Sequence, residues 1–132
     1  MTALVLDTSA LMALLMQEPE ADDLLERAIG AAALYLSVAS RLELTLVSEG
    51  RRIGEEAAEV EQLLRSLDVR VVPFDENQLQ WALQGWRQFG KGRQPAGLNL
   101  GDFFSYGLAM TLNLPLLFKG EDFLSTDVKV AL

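Results

Sequence analysis

The segment Leu4-Val5-Leu6-Asp7-Thr8-Ser9-Ala10 indicates an α/β fold, because a short apolar run ends at an acid and leads into a helical pattern. A run of this length that ends at a polar residue is typical of a buried strand. The polar residues after it can cap a helix over 8–16. The same succession follows, with a strand over 34–38 and a helix over 39–48. The chain is therefore predicted to alternate short strands with helices.

The rest of the chain continues this alternation. Apolar runs predict further strands at 69–72 and 116–118, and a fifth at 128–130. Helical patterns fill the remaining intervals, at 19–32, 54–67, 76–89 and 101–113. Such alternation places helices on both faces of a parallel sheet. The 132 residues predict one α/β domain, 1–132, with a central parallel sheet of four or five short strands flanked by helices.

The composition restricts the chemistry. The chain has no histidine and no cysteine, which excludes Ser-His and Cys-His nucleophile pairs, histidine general bases and His/Cys zinc sites. Carboxylates, hydroxyls, lysines and a hard metal ion such as magnesium remain as candidates. The formal net charge of −8 argues against a simple nucleic-acid coat, but acids gathered round a metal ion would contribute to it.

No segment resembles a membrane span or a signal sequence. The longest stretch without a charge, 103–118, has sixteen residues and contains Pro115, whereas a spanning helix needs about 20. The first residues have no basic region and only a short apolar run. We therefore expect a soluble, cytoplasmic protein that does not interact with membranes.

Four acids are expected to meet at one edge of the sheet. Asp7 ends the first strand, Glu43 lies early in the helix after the second, and Asp122 follows the fourth strand by four residues. Asp102 begins the helix that leads back into the fourth strand. Ligand sites of open parallel sheets lie beyond the carboxyl ends of the strands. Oxygen ligands there suit one or two magnesium ions, which could hydrolyse a phosphodiester.

Each acid also has a simpler structural interpretation. Asp7 and Asp102 could cap helices or interact with their dipoles, and Asp122 could form a turn. Glu43 interrupts an apolar stretch, and a partly buried carboxylate there needs a partner or a metal ion. These patterns favour a joint acid site. Asp127 is a candidate fifth member, although capping or turn formation is the favoured interpretation.

Four stretches resemble the signature stretches of PIN-domain nucleases, and more narrowly the VapC-type toxins of bacterial toxin–antitoxin pairs. They are Val5-Leu6-Asp7-Thr8-Ser9-Ala10, Ser40-Arg41-Leu42-Glu43, Leu98-Asn99-Leu100-Gly101-Asp102 and Leu116-Leu117-Phe118-Lys119-Gly120-Glu121-Asp122-Phe123. The resemblance implies that Asp7, Glu43, Asp102 and Asp122 are catalytic and hold magnesium or manganese, with the Ser9 hydroxyl beside the substrate. It also implies endoribonuclease activity on RNA, homodimerisation and inhibition by a cognate antitoxin.

The chain departs from that pattern at Glu121, where many relatives have asparagine. This acid adds a negative group beside Asp122. An inhibitor of such a site is expected to combine a basic residue with an amphipathic apolar segment. Apolar residues of the first two helices could form its groove, namely Leu11, Leu14, Leu15, Met16, Leu24 and Leu25.

The stretch 85–97 carries a local excess of positive charge. It contains Arg87, Lys91 and Arg93 but no acid. These cations could bind RNA phosphates beside aromatic residues that stack on bases, or they could belong to a solvated loop. For Trp86 the core interpretation is favoured.

Other functions fit parts of the pattern. An aspartyl-phosphate phosphatase or a phospho-acceptor domain could use Asp7, the latter together with Lys119. The phosphatase chemistry usually wants a second acid two residues later, where this chain has Ser9. A catalytically silent binding module on the same fold is the non-enzymatic alternative.

Overall fold

The computed structural model describes residues 1–50, 57–90, 92 and 97–132. Its strands are β1 (Leu4–Leu6), β2 (Leu34–Ser37), β3 (Val69–Val72) and β4 (Leu116–Leu117). Its helices are α1 (Thr8–Leu15), α2 (Ala21–Ile29), α3 (Val38–Gly50), α4 (Ala57–Ser66), α5 (Glu76–Phe89) and α6 (Leu100–Leu112). The predicted α/β alternation is confirmed.

The four strands form one parallel sheet in the order β3-β2-β1-β4. In β1, Leu4 pairs with Leu34 of β2, while Val5 pairs with Leu116 of β4. The chain thus builds outward from β1 to β3 and then returns to the other side of β1. Beyond the carboxyl ends of β1 and β4 lies the point where the strand order reverses, which is where open α/β sheets bind ligands.

Strand residues alternate between two cores, as a sheet covered on both faces requires. Leu4 and Leu6 of β1 pack in one core, which also contains residues of α1, α2, α3 and α4. Val5 packs in the other, with residues of α5, α6 and the C-terminal segment. Since α6 leads into the amino end of β4, its first turn lies at the carboxyl edge of the sheet.

Some predicted boundaries differ from the structure. The prediction of a fifth strand is wrong. Within the described residues, 128–130 contributes only an isolated parallel bridge between Val130 and Leu116. Helix α2 begins at Ala21, because Pro19 lies in a turn closed by the Ala21 N–H and the Glu18 carbonyl at 2.9 Å. Residues 54–56 of the predicted fourth helix lie outside the described residues.

The long uncharged stretch 103–118 is divided between α6 and β4. Asn113 caps α6 in a left-handed conformation, with φ 55° and ψ 46°, and the chain then turns into the strand. None of the described helices combines the length and apolar character that crossing a bilayer requires.

Candidate active site

Asp7 is held rigidly at the end of β1. Its carboxylate caps α1 by accepting a hydrogen bond from the Ser9 N–H at 3.0 Å, so the predicted capping role is confirmed. The hydroxyl of Ser105 on α6 donates to its other oxygen at 2.5 Å. The side chain is buried, with Asp7 only 5% exposed. Two donors therefore fix the orientation of a buried carboxylate at the carboxyl edge of the sheet.

Glu43 on α3 connects two other elements. Its Oε1 accepts a hydrogen bond from the Thr8 hydroxyl on α1 at 2.7 Å. Its Oε2 lies so close to the backbone of Gly101 that a Cβ there would collide with it. The absence of a side chain at Gly101 thus lets the Glu43 carboxylate keep this position beside the first turn of α6.

Asp102 lies in that first turn and forms a capping box with Asn99. The Asn99 N–H donates to Asp102 at 3.0 Å, and the Asp102 N–H donates to the Asn99 side chain at 3.2 Å. The helix-capping interpretation is therefore correct for Asp102, with Asn99 rather than Asp102 as the N-cap residue.

The same carboxyl group has a strongly altered pKa. Burial raises the pKa of Asp102 from 3.8 to about 7, against the lowering effect of the Asn99 hydrogen bond. The negative charges of Asp7, Asp122 and Glu43 raise it further. The predicted acids thus lie close enough to interact with Asp102. Asp122 itself is exposed, on the segment after β4.

A cleft of about 350 Å³ opens beside these acids. Three of the four acids line it, namely Asp7, Glu43 and Asp102. The other lining residues are Thr8, Ser9, Met12, Glu18, Val47, Asn99 and Lys119. The cleft is therefore predominantly acidic.

The four acids supply the oxygen donors that magnesium and manganese prefer. Donors from Ser105 and Thr8 orient two of them, which is the usual role of groups behind metal ligands. In this side-chain arrangement, no group of three or more acids among the described residues is spaced to hold an ion. The donor chemistry fits, and the side chains would have to converge when a cation binds.

The sequence and the fold match known proteins. The sequence model of the PIN domain matches residues 4–129. Ribonuclease VapC30 from Mycobacterium tuberculosis is 46% identical over 126 residues, which cover 95% of each chain. This chain belongs to the VapC ribonucleases of the PIN-domain family. Ribonuclease VapC from Mycolicibacterium smegmatis is 45% identical over 95% of this chain and 97% of that protein.

Solved structures show the same fold at lower identity. Mycobacterium tuberculosis VapC20, described as a sarcin-ricin loop cleaving toxin, matches with a TM-score of 0.75 at 15% identity over 95% of each chain. The DNA-bound VapBC from Salmonella typhimurium matches with a TM-score of 0.73 at 17% identity, over 98% of this chain and 96% of that one. The expected PIN-type fold is confirmed. Because the chain belongs to the VapC ribonucleases, the phosphatase and phospho-acceptor interpretations of Asp7 are no longer favoured.

The structure describes only some of the remaining predicted site residues of this VapC chain. Ser9 lines the cleft, and its hydroxyl accepts a hydrogen bond from the Lys119 N–H at 3.0 Å. Arg87 is exposed in the last turn of α5. Lys91 and Arg93 lie outside the described residues. So do Arg51 and Arg52, which follow the third predicted helix and are interpreted as helix-end cations rather than ligands. The core interpretation of Trp86 is wrong, because this side chain near the helix end is 47% exposed.

The Asp127 carboxylate has a partner that the sequence patterns do not predict. It accepts a hydrogen bond from the hydroxyl of Tyr106 at 2.8 Å. Burial, together with this hydrogen bond, raises the pKa of Tyr106 well above its usual value. The local turn bonds are made instead by Thr126, which donates to the Phe123 carbonyl at 2.7 Å. Asp127 thus joins the C-terminal segment of the VapC fold to α6.

Sequence reasoning missed the residues that support the acids. The sequence patterns indicate Thr8 only as a possible helix cap and assign no supporting role to Ser105 or Gly101. The available signals were the position of Ser105, three residues after Asp102 on one helix, and of Thr8 directly after Asp7. Their contacts with Glu43 and Asp7 depend on the packing of α1, α3 and α6, which local sequence patterns do not specify.

Proposed function

We propose that this chain is a metal-dependent endoribonuclease in which Asp7, Glu43, Asp102 and Asp122 hold Mg²⁺ or Mn²⁺. The observation that carries the proposal is that Asp7, Glu43 and Asp102 line one cleft, with Asp122 close enough for its charge to act on Asp102. Acids that repel one another in this way favour a bound cation. Membership of the VapC ribonucleases supports RNA as the substrate.

The supporting residues keep the acids ready for the ion. Ser105 and the Ser9 N–H hold both oxygens of Asp7, and Thr8 holds one oxygen of Glu43. Asp102 is tied to the Asn99 backbone and cannot swing freely away from the cleft. A bound ion would supply an activated water molecule and stabilise the leaving oxygen of the phosphodiester.

RNA binding is proposed for Ser9, Arg87, Lys91 and Arg93. The exposure of Arg87 on the last turn of α5 supports this role, since an exposed cation can reach a phosphate. Replacing all three cations with alanine should weaken RNA binding and flatten its salt dependence while the fold persists. Unchanged affinity and salt slope would favour the solvated-loop interpretation.

In the cell, we propose that the chain is the cytoplasmic toxin of a toxin–antitoxin pair, acts as a homodimer and is inhibited by its antitoxin. The similarity to VapC proteins and to the VapBC structure supports a protein partner. For the apolar part of the contact, Met16 and Leu25 are exposed, whereas Leu11 and Leu24 are buried in the core. The first two could contact an inhibitor, and the latter two could not.

Cleavage of RNA tests the catalytic proposal. Total bacterial RNA is incubated with the purified chain in Mg²⁺, Mn²⁺ or EDTA, and new 5′ ends are mapped. We expect metal-dependent cleavage and a loss of at least about 100-fold in the Asp7→Asn/Asp102→Asn variant. Asp127→Asn/Glu26→Gln is the matched control, since it also removes two negative charges, one from an acid that binds Tyr106 and one from an exposed acid of α2. Absence of cleavage by the parent chain in either metal would support the silent binding module instead.

A further inference from the structure

The acidic cleft has one cationic side chain among its described lining residues, Lys119. This residue directly follows the apolar run of β4. Its backbone N–H donates to the Ser9 hydroxyl at 3.0 Å. The main chain of Lys119 is therefore fixed beside the first turn of α1, at the same cleft that holds Asp7.

The ammonium group of Lys119 already has anionic partners. It forms an ion pair with Glu18, which lines the cleft too, and its Nζ lies 3.7 Å from the Glu20 carboxylate. The side chain of Lys119 is 31% exposed and that of Glu18 is 22% exposed. The cation is thus kept at the cleft by carboxylates instead of extending into solvent.

We propose that Lys119 binds a phosphate of the RNA in this cleft, and that Glu18 competes with that phosphate for the ammonium group. The inference rests on the proposed function, because it concerns the substrate of the same site. A lysine has three rotatable donors on a flexible stem, so its ammonium can exchange one anion for another without moving the backbone. RNA is a polyanion and must approach a cleft lined by several carboxylates. A cation held at this cleft lowers the electrostatic cost of RNA binding.

A purely structural role of the Lys119–Glu18 ion pair and a phosphate-binding role of Lys119 predict opposite effects of Glu18→Gln on RNA binding. If the pair only fastens the segment before α2 to the residues after β4, Lys119→Gln and Glu18→Gln break the same contact and should affect RNA binding alike. If Lys119 binds phosphate, the two variants act in opposite directions. Lys119→Gln removes the phosphate ligand, whereas Glu18→Gln removes its nearer competing carboxylate and leaves Glu20, 3.7 Å from the ammonium group.

The test is a binding cycle in the Asp7→Asn background, which prevents cleavage. The probe is a fluorescein-labelled pool of random 20-nucleotide RNAs, followed by anisotropy in Mg²⁺ at several salt concentrations. Lys119→Gln should raise Kd about five- to tenfold and lower the salt slope by about 0.7. Lys119→Arg should restore most of the affinity. Lys129→Gln is the control, since it removes the same charge from an exposed lysine outside the cleft lining, and should change Kd less than twofold.

Glu18→Gln should lower Kd about threefold, and this gain should disappear when Lys119→Gln is also present. A gain that persists in the double variant would mean that Glu18 only repels RNA, which would overturn its competing role. An unchanged Kd in Lys119→Gln, or weaker binding in both single variants, would overturn the role of Lys119. Melting temperatures of all variants show that each is folded.

Cleavage by the same variants with Asp7 restored separates this inference from the proposed function. Lys119→Gln should raise KM more than it lowers kcat, because a phosphate contact acts mainly in binding. Lys119-dependent binding by a chain that cleaves no RNA would contradict the proposed catalysis and support the binding role. Cleavage with unchanged KM in Lys119→Gln would support the catalysis and contradict the binding role.

Discussion

The raised pKa of Asp102 predicts that removing this one charge stabilises the metal-free protein at alkaline pH. The change is Asp102→Asn, whose amide oxygen can still accept the hydrogen bond from the Asn99 N–H. In the folded chain the pKa of Asp102 is raised from 3.8 to about 7, with burial as the largest cause. The folded protein therefore binds this proton more tightly than the unfolded chain does.

The pH window follows from these two values. This contribution to stability is fully present below pH 3.8, is lost as the pH rises toward 7, and levels off above it. A shift of about three units corresponds to about 4 kcal/mol as an upper bound. Because the side chain is partly exposed, solvent screening reduces the expected penalty to about 1–2 kcal/mol.

Urea unfolding in EDTA measures this penalty at pH 4 and pH 8. Asp102→Asn should be more stable than the parent chain by about 1–2 kcal/mol at pH 8, with less than half of that difference at pH 4. Glu26→Gln is the control, since it removes the same charge from an exposed position within α2. A variant no more stable than the parent at pH 8, or a difference that does not change with pH, would show that the charge of Asp102 does not destabilise the folded protein.

Three further substitutions test the contacts around the acids. Gly101→Ala places a methyl group against the flexible end of Glu43, so it should lower RNA cleavage by about tenfold or more while the melting temperature changes little. Ser105→Ala removes a donor to Asp7 and should weaken Mn²⁺ affinity, measured by calorimetry, by about tenfold. Tyr106→Phe removes a buried hydroxyl from its carboxylate acceptor and should cost about 1 kcal/mol in urea unfolding, with unchanged metal affinity.

Much of the fold could be predicted because its strands carry strong local signals. Leu4–Leu6 and Val69–Val72 are bounded by polar or turn residues, and the structure reproduces both. The segment 128–130 has similar aliphatic residues, but Lys129 and Val130 are exposed and only one bridge forms. Whether an apolar run becomes a strand depends on available sheet partners, which the run itself does not encode.

The sequence is sufficient to predict the acids of the candidate site but not the residues that support them. Asp7 ends a strand, and parallel topology implies that other strand ends and helix starts meet it there. The positions of Thr8 and Ser105 relative to those acids depend on how three helices pack. The pairing of Lys119 with Glu18 joins residues far apart in the sequence, and no periodic pattern predicts such a contact.

The thermal shift on adding Mg²⁺ or Mn²⁺ tests whether the four acids form one metal site. The ion should raise the melting temperature of the parent chain, because it binds only the folded site. That rise should be smaller in each of four variants, Asp7→Asn, Glu43→Gln, Asp102→Asn and Asp122→Asn. It should be unchanged in Asp127→Asn. A full metal-induced rise in any of the first four variants would show that this acid does not bind the ion, and a full rise in all four would show that the metal site lies elsewhere.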